Sequence, residues 1–81
     1  MSERLKFEGR LLEKEAEAKS LKLRIEGLRD SIRNQLDPFE SVENLKAHIV
    51  AGQAVDLSEL HVKYRETLEE IRNIKAELGK G

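Results

Sequence analysis

Eighty-one residues allow one small domain, and 15 lysines and arginines against 16 aspartates and glutamates leave a net charge of −1. That is too little for the overall field to draw the chain onto nucleic acid or an anionic membrane. With 38% charged residues, one proline, no tryptophan, no cysteine and only Phe7, Phe39 and Tyr64 as aromatics, the composition is that of a long-helix or coiled-coil protein, and it excludes a disulfide framework and thiolate chemistry.

The opening MSERLKFEG is charged from Glu3 onward and lacks the apolar centre of a signal peptide. No apolar run approaches the roughly 20 residues of a membrane span. A reducing cytoplasm is the expected compartment. Chains of this size seldom bury enough apolar surface to be comfortably stable alone, so a second copy or another partner is expected.

From Phe7 the apolar residues follow one heptad register through Leu11, Ala18, Leu21, Ile25, Leu28 and Ile32, with Lys14 and Gln35 as its polar members. Alternating steps of four and three predict a helix over about residues 2–36. At 1.5 Å per residue it would be near 50 Å long, so the molecule should be elongated.

The same helix carries a second stripe on its opposite face: Leu5, Gly9, Leu12, Ala16, Lys19 and Leu23. One intramolecular partner can cover only one of the two faces, so this stripe is the candidate interaction face.

Leu36-Asp37-Pro38 should end the helix, because the residue before proline is pushed out of the α region. Asp37 as N-cap, Pro38 at the first helical position and Glu40 as capping-box partner then predict a second helix over about residues 38–50, with Phe39, Val42, Leu45 and Ile49 on one side. Gly52 reads as a helix stop. Asp56 with Glu59 reads as a further capping box, opening a third helix over about residues 57–78 along Leu57, Leu60, Tyr64, Thr67 or Leu68, Ile71, Ile74 and Leu78.

The expected fold is therefore all-α, a single domain over residues 1–81. It is an antiparallel, coiled-coil-like helical hairpin with a long first helix and a return arm broken near Gly52, assembled into a helical bundle. Its predicted core is Phe7, Leu11, Leu21, Ile25, Leu28, Ile32, Leu45, Ile49, Leu60, Tyr64 and Ile71. In this pairing Leu28 faces Leu45, Ile25 approaches Ile49, Leu21 meets Leu57, and the Lys14 stem covers Tyr64. Phe39, Val50 and Val55 would close the two bends as a small apolar cap.

Catalytic and cofactor signatures are lacking. His48 and His61 lie 13 residues apart on different predicted helices and form no close-spaced metal pair. A site assembled from them with Glu59 competes with the simpler reading of surface histidines. Glu69 and Glu70, and Glu13, Glu15 and Glu17, read as solvated helix faces, because adjacent helical residues point roughly 100° apart and nothing nearby suggests burial. The serines have no nucleophile-elbow context and Gly52 stands alone, outside any phosphate cradle.

The expectation is a non-enzymatic structural or interaction module without metal or cofactor, acting as a homodimer or homotetramer through helix faces. The alternative is a small adaptor or inhibitor of a different protein, such as a nucleic-acid-handling one. Direct nucleic-acid binding through Lys19, Lys22, Arg24, Arg29 and Arg33 is the weaker third reading, because Glu26 and Asp30 interrupt the run and no aromatic accompanies it.

Overall fold

The computed structural model describes residues 2–80 and contains two long helices joined by an irregular loop. Helix α1 runs Glu3–Gln35 and helix α2 runs Ala47–Lys80, with a single 3-10 turn at Val42–Asn44 between them. The two helices pack antiparallel into a rod of 63 × 17 × 14 Å.

Helix α1 starts where its sequence provides a cap: the Ser2 hydroxyl accepts from the Arg4 amide at 3.2 Å. It closes at Leu36, whose N–H donates to the carbonyls of Ile32 and Arg33 at 3.0 and 3.2 Å. The basic Arg33 in this last turn suits the negative end of the helix dipole.

The predicted helix over residues 38–50 does not form. Asp37 does cap, accepting from the Phe39 amide at 2.9 Å through its side chain and from the Glu40 amide at 3.1 Å through its carbonyl. That turn is not propagated, because Ser41 is already extended at φ −70°, ψ 148° and Leu45 again at φ −63°, ψ 125°. A short helix with nothing to pack against repays its nucleation cost poorly, and β-branched Val42 and Asn44 add weak propensity.

The break at Gly52 is also absent. Gly52 lies inside α2, and among the described residues no glycine has positive φ. Ala51, Gln53 and Ala54 around it are compatible with a helix, and the seam residues Val50, Gln53 and Leu57 carry the same face straight past it. The return arm is thus one helix of 34 residues, matching the 33 of α1.

Four ties fix the pairing. Gln35 donates to Gln53 at 2.6 Å, Gln53 to Ser31 at 2.9 Å, Lys14 pairs with Glu70 at 2.7 Å, and an Arg4 guanidinium N–H reaches the Leu78 carbonyl at 3.4 Å. Interpolating between them brings Phe7 towards Leu78, Leu11 towards Ile74, Leu21 towards Tyr64, Ile25 towards Leu60 and Leu28 towards Leu57. The expected pairing of Leu21 with Leu57 and Lys14 with Tyr64 is therefore displaced by one heptad, because residues 36–46 are spent on the loop.

The core is thin. Ala18, Leu21, Ile71 and Ile74 are buried together with Thr67, whose hydroxyl is satisfied by the Lys63 carbonyl at 2.9 Å. Phe7, Leu11, Ile25, Leu28, Ile32, Leu60 and Tyr64 are half-buried along the same seam. Leu45 and Ile49, expected in the core, are exposed, since they precede the paired stretch of α2.

Candidate interaction faces

The heptad phase of α1 sets the first surface. With Phe7, Lys14, Leu21 and Leu28 and the intervening Leu11, Ala18 and Ile25 turned towards α2, the residues near the opposite side of the helix are Leu5, Gly9, Leu12, Ala16, Lys19 and Leu23. All six are exposed, and the leucines strongly so: Leu5 61%, Leu12 70%, Leu23 64%. A Cβ added at Gly9 would meet no neighbour within 4 Å, so nothing inside the hairpin demands glycine there.

The second surface is the hairpin tip, which sequence reasoning treated as core and bend packing. Phe39 is 94% exposed and Val42 nearly as open, with Leu36, Leu45 and Ile49 also exposed around them. Asp37, Glu40 and Glu43 give this apolar tip an acidic rim beside the single Lys46. Val55, expected to join Phe39 in a cap, lies exposed on α2 instead. The signal that could have located the tip was the mismatch between the 42, 45, 49 spacing and the continuous seam beginning at Val50.

Charges organise the seam more than these faces. Lys14 reaches out of the seam and bridges Glu70 of α2 at 2.7 Å and Glu17 of its own helix at 3.4 Å. The lysine pKa is raised above its ordinary 10.5, mainly by the hydrogen bond to Glu70, against a smaller opposing desolvation, with Glu17 adding to the rise. The basic run Lys19, Lys22, Arg24, Arg29 and Arg33 is exposed, and Arg29 pairs locally with Asp30 at 3.3 Å. The register sets this run opposite the stretch of α2 before Glu66, and the acidic Glu69 and Glu70 lie beside the first half of α1.

Two shallow grooves flank the seam, one lined by Arg24, Leu28, Asp56, Glu59, Leu60 and Lys63, the other by Ile25, Arg29, Ala54, Leu57, Ser58 and His61. Both histidines lie on α2, not on two helices, and their 13-residue separation sets them about 20 Å apart along it. Among the described residues no three of His, Cys, Asp and Glu gather as metal ligands, and no helix is long and apolar enough to cross a membrane.

Comparison with protein-family models, with curated proteins and with solved structures returns no match.

Proposed function

We propose that this chain is a non-enzymatic interaction module that self-associates through the outer face of α1, in the reducing cytoplasm that a cysteine-free chain suits. The observation that carries the reading is the exposure of Leu5, Leu12 and Leu23 on one helix face of a molecule with so few buried side chains. A folded chain of 9.3 kDa ordinarily exposes about 5,000 Å². This one exposes 6442 Å². The surplus exceeds the roughly 800 Å² that each partner contributes to a standard stable interface.

The test is absolute mass by light scattering across a hundredfold range of concentration. Self-association gives at least twice the 9.3 kDa chain mass, and Leu12→Glu lowers both that mass and the thermal midpoint. A stable monomer at every concentration overturns the reading.

The hairpin tip favours a second reading, an adaptor that captures a different protein. Its five exposed apolar side chains and acidic rim suit an apolar, basic-edged surface. Under this reading wild type is monomeric and Phe39→Ser abolishes capture while leaving stability unchanged to within about 0.5 kcal/mol, as for other surface substitutions.

A further inference from the structure

We infer that the partner seated on the outer face of α1 is a second copy of this chain, docked antiparallel about a two-fold axis level with Lys14. The inference rests on the self-association reading and adds its geometry.

The face is palindromic in spacing. Leu5, Gly9, Leu12, Ala16, Lys19 and Leu23 step by four, three, four, three and four, so turning the helix end for end about the level of residue 14 superposes the pattern on itself. In that register Leu12 lies on Ala16 of the second copy, the aliphatic stem of Lys19 crosses Gly9, and Leu5 meets Leu23. Large side chains thus fall on small ones at two of the three distinct layers, the condition for close interdigitation. An isologous contact repeats each layer on both sides of the axis. A slip of one heptad towards the tip would instead set Glu26 against Gly9 and Asp30 against Leu5.

Charge at the edges is mixed, with two attractive and two repulsive contacts. Glu8 comes beside Lys22 of the second copy, and symmetry makes the pair twice. Glu13 and Glu15 meet their own copies near the axis, the unfavourable element of the contact.

Because this face lies nearly opposite the hairpin seam, the assembly is not a square bundle. The order across it is α2, α1, α1 of the second copy, α2 of the second copy: a flat layer with both α1 helices inside. The axis lies nearer the open end of the 63 Å rod than the tip. At 1.5 Å per residue the copies are therefore staggered, giving a particle about 90 Å long with one tip projecting at each end.

The absence of cysteine makes site-specific labelling direct. Ser20→Cys and Asn34→Cys replace exposed residues outside the stripe and each carries one nitroxide, the separation between copies being read by pulsed electron spin resonance. The expected axial separations are about 20 Å at position 20 and about 60 Å at position 34. Glu15→Gln is expected to tighten the dimer by about two- to fivefold by removing the like-charge contact. Dimers with equal separations at both positions, as parallel pairing gives, overturn this geometry and leave self-association standing. So do dimers with axial separations of about 3 Å and 45 Å, as pairing about the helix middle gives. A monomer at the highest concentration overturns both.

Discussion

Lys14 shows how one polar residue can occupy an apolar seam. Its stem covers the layer while the ammonium leaves the interface to bridge Glu70 and Glu17. Since the folded pKa is raised above 10.5, the bridge contributes fully below that value and is lost as pH climbs through the folded pKa. Thermal melts of wild type should therefore lose this contribution only at strongly alkaline pH, and Lys14→Met should show a shallower decline there. Equal alkaline slopes for the two proteins would refute the bridge.

At the scale of the element, Gly52 separates local from global reasoning. As a helix stop it would need positive φ, where alanine is strained; as an interior helical residue with open space around its Cα it gains from a side chain. Gly52→Ala should accordingly raise stability by about 1 kcal/mol, visible as a few degrees in the thermal midpoint. A fall of similar size would restore the broken arm.

The helix ends at Ser2 and Leu36 and the phase of both apolar stripes were legible in the sequence, because capping and periodicity are local properties. The unformed helix over residues 38–50 was not, because the Asp37 capping pattern that it rested on starts a single turn equally well. Nor was the polar cluster of Ser31, Gln35 and Gln53, made from residues 18 and 22 positions apart. This cluster can tie only one of the heptad-related pairings. Gln53→Leu is expected to raise the thermal midpoint by burying an apolar side chain, worth about 1 kcal/mol, while admitting slipped pairings that appear as extra amide resonances. A single set of resonances would show that the loop alone holds the register.

The whole molecule is governed by its shape. Its radius of gyration is 18.3 Å, against about 12 Å for a globule of this length. That elongation leaves each helix with one covered side and two faces of the molecule unpartnered. Small-angle scattering of Leu12→Glu should return a radius near that of the single rod, while wild type shows the longer particle of the staggered dimer.

By itself the sequence determined the long first helix, the amphipathic character of the return arm beyond Leu57, and which stripe of α1 turns inward, but not that the return arm is one unbroken helix. Those follow from residue periodicity, which each helix expresses without reference to the other. Only the tertiary structure decided which layer meets which, since sliding one arm by seven residues restores the same apolar face and leaves periodicity indifferent. The choice was made by the length of chain spent in residues 36–46 and by the polar ties at Gln53 and Lys14, which close the hairpin in one register and leave Phe39 and its neighbours outside it.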